Sequence, residues 1–445
     1  MYSLFTETSV YFWRYMEQIK VGIIGFGTVG SGVVRGLLEQ ENLLERKLGL
    51  KIKIAVIADK DITTPRKIKV DPSLLTTDVD SVINDPDVPI IVELIGGINP
   101  ARQIILKALD KGKYVVTANK KLLAEEGADI FKKAVSKDNI RFEASVGGGI
   151  PIIKTLREGL VANRVNSIVG IVNGTCNFIL SQMQKENCSF QSALEEAKQR
   201  GYAESDPALD ISGLDSAHKI AVLASLAFGR IVQLKDITVE GIGQISSDDI
   251  RNAKELGFCI KLLGITKRAG NSIEARVHPA LLPSNHLLSS VTGVFNAIWM
   301  DCDLTGEILM YGQGAGSMPT ASAVISDIVD IVGQIKSKTN KLPALMFDPR
   351  KTQILPLNNI KCRHYIRFSA IDKPGVLSTL SGLLGKHNIS IASVFQKERR
   401  KHHSVPLIML THEAKDIDVK RSLRQIDKLD IIRPPSVNIR IEEGE

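Results

Sequence analysis

The chain has 445 residues, of which 44% are hydrophobic and 24% charged, with a formal net charge of +8. Those proportions describe a soluble globular protein of two or three domains, and aromatics at only 5% exclude a stacking platform for nucleic-acid bases. No apolar run approaches the roughly 18 residues that span a bilayer. The cysteines Cys176, Cys188, Cys259, Cys302 and Cys362 are scattered and form no CxxC pair, which points to reduced thiols in a cytoplasm.

Residues 1–15 carry Tyr2, Phe5, Tyr11, Phe12, Trp13 and Tyr15, without the basic start or small-residue cleavage site of a signal peptide. Met16 stands just before the first clear strand, so 1–15 read either as a disordered extension or as a segment not translated in the cell. A chain starting at Met16 is expected to be as active and as stable. Residues 20–24 form a buried strand, followed by Gly25-Phe26-Gly27-Thr28-Val29-Gly30 and a helix from Ser31. A GxGxxG between strand and helix is a dinucleotide fingerprint. Gly25 allows the tight turn, Gly27 lets a pyrophosphate reach the backbone, and Gly30 lets helix and strand close up. The helix N-terminus offers free N–H groups to the phosphates. The second strand, 52–58, ends at Asp59 and Lys60. An acid there suits a ribose 2′-hydroxyl and a cation a 2′-phosphate, so NAD and NADP both stay open. The gap from Gly30 to Asp59 implies an extended first helix or loop.

The alternation continues with strands at 90–95, leading to Gly96-Gly97, and at 114–117, leading to Lys120. A third, 141–145, leads to a glycine-rich run at 147–149. Such strand ends line the ligand crevice of an open parallel sheet. Lys120 opens a helix, where the dipole does not favour a cation, and this misfit marks it as a functional candidate. Glu143 reads as lying inside a strand. The loop after it frees carbonyls that suit a tight turn or a monovalent cation.

Beyond Pro151 the periodicity changes. A helix at 152–160 and a strand at 164–172 precede Asn173-Gly-Thr-Cys-Asn177, and a long helix ends near Arg200. Residues 235–245, 259–266, 272–279 and 297–302 read as strands of a mixed sheet. An apolar helix follows from Ala321 to Ile335. Between these lies 201–219, which packs Glu204, Asp206, Asp210 and Asp215 into a short space and ends in Lys219. Ser212 or Gly213 caps a helix beginning at Leu214. On it Asp215 and Lys219 are i and i+4 and share a face, while the rest is apolar and therefore buried. A carboxylate and an ammonium at the mouth of a buried helix, facing an acidic loop, suit a small zwitterion. Residue types alone serve an ordinary ion pair equally well. After an aperiodic, proline-bearing linker, residues 362–445 read as a separate βαββαβ unit, a ferredoxin-like arrangement.

Taken in order, 25–30, 116–121, 143–151, 173–177, 201–219 and 314–323 closely resemble homoserine dehydrogenase. The 201–219 motif is highly specific to that family. Residues 365–441, through Asp372-Lys-Pro-Gly375 and His387-Asn-Ile-Ser390, resemble an ACT domain, a small-ligand regulatory module. The resemblance implies an α/β chain of four parts. A Rossmann-type NAD(P)-binding domain, 16–146, is completed by the helix 319–335. A mixed-sheet α+β domain for substrate binding and dimerisation spans 147–318. A linker, 336–361, leads to the ACT domain, 362–445. It implies interconversion of L-homoserine and L-aspartate 4-semialdehyde with NADP or NAD, on the route to threonine and methionine, in a homodimer or higher oligomer. Glu204 and Asp215 then bind homoserine, Lys219 donates the proton, Lys120 orients the substrate, and Thr175 and Tyr202 line the pocket. The cofactor is contacted by the Gly25–Gly30 turn, Asp59, Lys60, Lys120, Gly201, Gly314 and Gly316. Glu143 with the carbonyls of Val146, Gly148 and Ile150 matches a sodium site. Gly375 and Asn388 are expected to hold an amino-acid effector such as L-threonine. Two rivals, a related amino-acid dehydrogenase and a catalytically silent amino-acid sensor, are opposed by the intact 201–219 motif and by Lys120, Glu204, Asp215 and Lys219.

Overall fold

The computed structural model describes residues 18–134, 138–338, 347–348, 352–396 and 404–443; the 1–15 extension lies outside them. The chain divides into two compact units. The first runs through Asn163 and takes in Ser225–Ile231 and the segment from Gly312 into the linker; the remainder forms the second. The division thus falls later than the boundary at residue 146 expected from the sequence.

The first unit is built on β1 (Gln18–Ile24), β2 (Lys51–Ala58), β3 (Leu75–Thr76), β4 (Ile90–Glu93), β5 (Tyr114–Thr117) and β6 (Ile140–Arg141). They form one sheet in the order β3-β2-β1-β4-β5-β6, with every pairing parallel. A parallel sheet covered on both faces needs near-continuous apolar strands, and Val21, Ile23, Ile24, Ile90, Ile91, Val92, Val115 and Val116 are fully buried. Strand order reverses at β1 and β4, so the carboxyl ends of these two strands form the ligand crevice. The long gap after Gly30 is filled by a second helix, Glu41–Leu48, which ends at Gly49 in the left-handed region. The closing helix, Ser317–Ser337, is two residues longer at each end than expected and packs on the Thr28–Glu39 helix. Glycines permit that approach: a Cβ on Gly36 would lie 2.5 Å from Ile325 Cδ1.

Residues 141–145 are not a strand. Pairing stops at Arg141 and Glu143–Ser145 forms a 3-10 turn, because the Glu143 N–H donates to the buried Asp327 carboxylate at 2.8 Å. The helix expected over 152–160 is one short α-turn followed by a π-turn at Thr155–Gly159.

In the second unit, β7 (Val165–Ile171), β8 (Thr238–Val239), β9 (Phe258–Ala269), β10 (Ser272–Pro283), β11 (Phe295–Cys302) and β12 (Gly306–Gln313) precede β13 (Lys361–Ile371), β14 (Ile391–Gln396), β15 (Ser404–Thr411), β16 (Ala414–Lys415) and β17 (Val437–Ile441). The expected strand at 235–245 shrinks to β8, since Leu234–Asp236 coils into a 3-10 turn closed by a capping box. The long helix before Arg200 is two helices, Gly174–Glu186 and Phe190–Gln199, separated where Asn187 takes φ +51° and Ser189 caps the second.

The C-terminal unit has the expected βαββαβ order, but it is not separate. Its strands run β17-β13-β15-β14 and continue the sheet β12-β11-β7-β9-β10 through a parallel β10–β17 pair. Ala280 pairs with Arg440 and Leu281 with Ile441. Buried charges stitch this join. Arg276 donates to Glu274 at 2.7 Å and to Glu442 at 2.6 Å. Arg440 donates to Asp416 at 2.8 Å and to Glu240 at 2.7 and 2.9 Å. Such pairs specify geometry more than they add stability. No described helix is long and apolar enough to cross a membrane.

Candidate active site

The chemistry-bearing side chains fall into two sets, one in each unit. In the first unit the chain turns at Gly25, φ +108°, where a Cβ would meet the Leu94 carbonyl carbon at 2.7 Å. A Cβ on Gly30 would lie 2.0 Å from Gly25 O, whereas one on Gly27 meets nothing within 4 Å. The first and third glycines are therefore required by packing. The second leaves open space at the N-terminus of the Thr28–Glu39 helix, which has no side-chain cap and no acid in its first turn. That combination fits a pyrophosphate. Ser317 Oγ donates to Thr28 O at 2.7 Å, and a Cβ on Gly148 would lie 2.5 Å from the Gly314 carbonyl carbon. Thr28, the Gly314–Gly316 turn and the Gly147–Gly149 loop, far apart in sequence, are thus neighbours.

At the end of β2, Lys60 is exposed, and both oxygens of Asp59 are engaged: one accepts the Phe26 N–H, the other the Asp61 N–H at 2.9 Å. The cation beside this turn is Arg66, which sequence reasoning missed. Its Nε donates to Phe26 O at 2.9 Å, its Nη2 to Asp61 O at 2.9 Å, and its guanidinium lies 5.8 Å from the Phe26 ring centroid. Only its position a few residues after a strand end could have signalled it.

Lys120 opens its helix half-buried. The loop before it is held from a fully buried carboxyl, Glu93, also missed. Glu93 accepts the Ile95 and Gly96 N–H groups at 2.9 and 3.2 Å and the Thr117 hydroxyl at 2.6 Å. Thr117 Oγ1 accepts the Asn119 N–H at 3.0 Å, and Asn119 Oδ1 accepts the Leu122 N–H at 3.1 Å. Burial pushes the Glu93 carboxyl up. Glu143 accepts the Ile153 and Lys154 N–H groups at 2.8 and 2.7 Å. Burial raises it to about 7 and raises its neighbour Asp327 as well. A cation bound beside these two carboxyls would lower the cost of ionising them. Of the three carbonyls named with Glu143, that of Ile150 accepts the Ile152 N–H at 2.8 Å.

In the second unit the helix begins at Leu214, as its capping pattern predicts. Lys219 Nζ lies 2.7 Å from Asp215 Oδ2 and 2.5 Å from Val172 O, and the pair is buried. Asn173, which the sequence placed in a motif but gave no role, is the hub. Its Nδ2 donates to Asp215 Oδ2 at 2.8 Å and to Asp210 Oδ1 at 2.7 Å, while its Oδ1 caps the next helix through the Cys176 N–H at 2.8 Å. Thr175 Oγ1 donates to Tyr202 O at 2.7 Å, and the Tyr202 ring packs edge-on against Phe178 at 5.0 Å. Gly201, φ +72°, and Glu204 are exposed on the loop between. The structure thus brings together Thr175, Tyr202, Asp215 and Lys219 and adds Asn173 and Asp210. Gly375 and Asn388 are not brought together. They sit at opposite ends of the 11-residue helix Val376–Lys386, about 16 Å long.

A GxGxxG turn at the switch point of a parallel sheet defines a dinucleotide-binding domain, and that is the class to which the first unit belongs. Residues 151–329 match the family described as homoserine dehydrogenase, 25–143 its NAD-binding domain and 364–430 the ACT domain. A homoserine dehydrogenase of Neisseria gonorrhoeae is 43% identical over 432 residues, covering 96% of this chain and 99% of that protein. The crystal structure of a homoserine dehydrogenase from Thiobacillus denitrificans superposes with a TM-score of 0.89 at 42% identity, covering 96% of this chain and 99% of that one. A hyperthermophilic archaeal homoserine dehydrogenase in complex with NADPH superposes with a TM-score of 0.60 at 26% identity, covering 73% of this chain and 99% of that one. The chain belongs to the homoserine dehydrogenase family, and it is an oxidoreductase.

Proposed function

We propose that Lys219 is the proton donor in the interconversion of L-aspartate 4-semialdehyde and L-homoserine, with Asp215 and Glu204 holding the substrate's ammonium and Thr175 and Tyr202 lining its pocket. The observation that carries this reading is the buried Lys219–Asp215 pair. An ammonium at 2.7 Å from a carboxylate, in a place closed to bulk water, is a proton store beside an anionic anchor. When bound, the nicotinamide nucleotide supplies or accepts the hydride. The chain's task is then the proton: the aldehyde oxygen gains one from Lys219 Nζ on reduction, and the same nitrogen accepts it on oxidation. Asn173 keeps Asp215 turned to Lys219, and the Val172 carbonyl fixes the direction of the amine.

The Gly25–Gly30 turn, Lys120, Gly201, Gly314 and Gly316 are assigned to cofactor contacts, and Lys120 also to orienting the substrate. Arg66 favours a 2′-phosphate over a bare hydroxyl, so NADP is the preferred nucleotide. Sodium would be held by Glu143 with the carbonyls of Val146, Gly148 and Ile150; the two raised carboxyls, Glu143 and Asp327, support a cation there. A homodimer or larger assembly and an amino-acid effector acting through residues 362–445 complete the reading. The test is oxidation of NADPH and NADH dependent on aspartate 4-semialdehyde, with and without L-threonine. Oxidation of neither nucleotide would refute the substrate assignment.

A further inference from the structure

Glu93 is a buried carboxyl of the first unit to which the proposed reaction gives no task. It ends β4 on the rung that it shares with Ile24 of β1 and Thr117 of β5, at the point where strand order reverses. Both Glu93 and Thr117 are fully buried. We infer that Glu93 is a positioning residue for the reaction: its carboxylate holds the Lys120 turn in a fixed place beside the Gly25 turn. The inference rests on the reading that Lys120 orients the substrate, and names what orients Lys120.

The hydrogen bonds around Glu93 close into a ring. One oxygen accepts the Ile95 and Gly96 N–H groups at 2.9 and 3.2 Å, and the other the Thr117 hydroxyl at 2.6 Å. Thr117 Oγ1 accepts the Asn119 N–H at 3.0 Å, and Asn119 Nδ2 donates to Gly97 O at 2.7 Å. That last bond returns the ring to the loop where it began. Asn119 Oδ1 also caps the helix that Lys120 opens, through the Leu122 N–H at 3.1 Å. On the other side the Leu94 N–H donates to Ile24 O at 2.7 Å, and a Cβ on Gly25 would lie 2.7 Å from the Leu94 carbonyl carbon. The residue after Glu93 therefore abuts the dinucleotide turn, and the ring ties that turn to Lys120.

Stability alone does not account for a carboxyl at this place. Burying an ionised group is costly unless an opposite charge offsets it. The described partners of Glu93 are two backbone N–H groups and a hydroxyl, none of them a cation. Packing does not hold the loop either: a Cβ on Gly96 or Gly97 meets nothing within 4 Å. The hydrogen bonds set its position. A carboxylate is an acceptor only, so it fixes their direction. The Thr117 hydroxyl must donate to Glu93 and keeps a lone pair for the Asn119 N–H. A side chain whose supporting turn is locked in this way starts from one geometry, which is what a substrate-orienting lysine requires.

The experiment measures kcat and KM for aspartate 4-semialdehyde, the NADPH Kd by fluorescence titration and the thermal midpoint, all in the full chain. The single variants are Glu93→Gln, Thr117→Val, Thr117→Ser and Lys120→Ala; the first two are also combined with Lys120→Ala. Glu93→Gln keeps the shape but puts a donor where the ring needs an acceptor. Thr117→Val keeps the volume without the hydroxyl, and Thr117→Ser keeps the hydroxyl. The expected result is a roughly tenfold or greater fall in kcat/KM for Glu93→Gln and Thr117→Val, with Thr117→Ser near wild type and the NADPH Kd changed less. In the Lys120→Ala background, itself slower, either substitution should add little, because the side chain they misplace is gone. Additive losses, or Thr117→Ser as poor as Thr117→Val, would overturn the positioning role and leave Lys120 its own. A NADPH Kd that rises as far as kcat/KM falls would overturn it too, since the ring would then serve the cofactor turn alone. Lys120→Ala with wild-type kcat/KM would remove Lys120 from the reaction and the inference with it.

Discussion

Among the described residues of the second unit two lysines are buried, and they are buried differently. Lys219 has a carboxylate 2.7 Å away, and Asn173 holds the same carboxylate oxygen. Lys261, in the middle of β9, has Asn177 Oδ1 at 3.1 Å and Val291 O at 2.5 Å, and burial pushes its pKa down. A buried ammonium beside a carboxylate has its charge matched, and on the proposed function that ammonium is the proton donor. One that meets only neutral acceptors is a strut: it satisfies the Asn177 amide oxygen and shares the Val291 carbonyl with the Asn177 amide nitrogen. Burial alone therefore says nothing about catalysis; the partner does.

That contrast breaks most easily at Lys219. Lys219→Ala is expected to lower kcat by roughly 10²–10⁴-fold while the cofactor Kd stays near wild type, and to lower stability as well, since it strips the buried Asp215 and the Val172 carbonyl of their ammonium. A variant with near-normal kcat would remove Lys219 from the proton step. Lys261→Met should lower stability alone. It leaves the Asn177 amide oxygen short of a donor and the Val291 carbonyl with only Asn177 Nδ2 at 3.3 Å, costing about 1–3 kcal/mol of stability, with turnover little changed. Denaturant titration beside the kinetic assay separates the two, and equal losses of turnover in both variants would erase the distinction.

Histidines at the β10–β17 join extend the same rule. His278, beside Arg276, is held well below its usual range, and His364, with Asn438 at 3.0 Å, is held down to about 4, both chiefly by burial. The unfolded chain takes these protons near pH 6.5, earlier than the folded one. Stability is therefore full above about 6.5 and is lost as pH falls toward 4. A thermal midpoint that falls over that window, and falls less in His364→Gln, is the expected result. The smallest effect lies at the cofactor turn, where Arg66 is a cation with both neutral and acidic neighbours. Arg66→Ala should lower kcat/KM for NADPH about tenfold and for NADH less, whereas an unchanged ratio would return the choice to Asp59 and Lys60.

Local signals made one half of the site legible in the sequence. The Gly25–Gly30 turn follows from strand, spacing and helix, and Asp215 with Lys219 from an i,i+4 step on a capped apolar helix. Asn173, Glu93 and Arg66 act through partners tens of residues away, Asp215, Thr117 and Phe26 among them, and no local pattern encodes such contacts. The same limit explains Glu143, whose apparent strand is ended where its N–H donates to Asp327, far along the chain. It also explains the C-terminal module: its βαββαβ order shows in alternation and turns, but its fusion to the neighbouring sheet through Ala280–Arg440 does not.

Single-turnover kinetics test the central claim most directly. Enzyme saturated with NADPH is mixed with excess aspartate 4-semialdehyde in stopped flow, in light and heavy water, for wild type and Lys219→Ala. The account predicts that loss of the lysine slows the first turnover itself by roughly 10²–10⁴-fold, and that added methylamine restores part of the rate. A first turnover as fast in Lys219→Ala as in wild type, with the same solvent isotope effect, would contradict it.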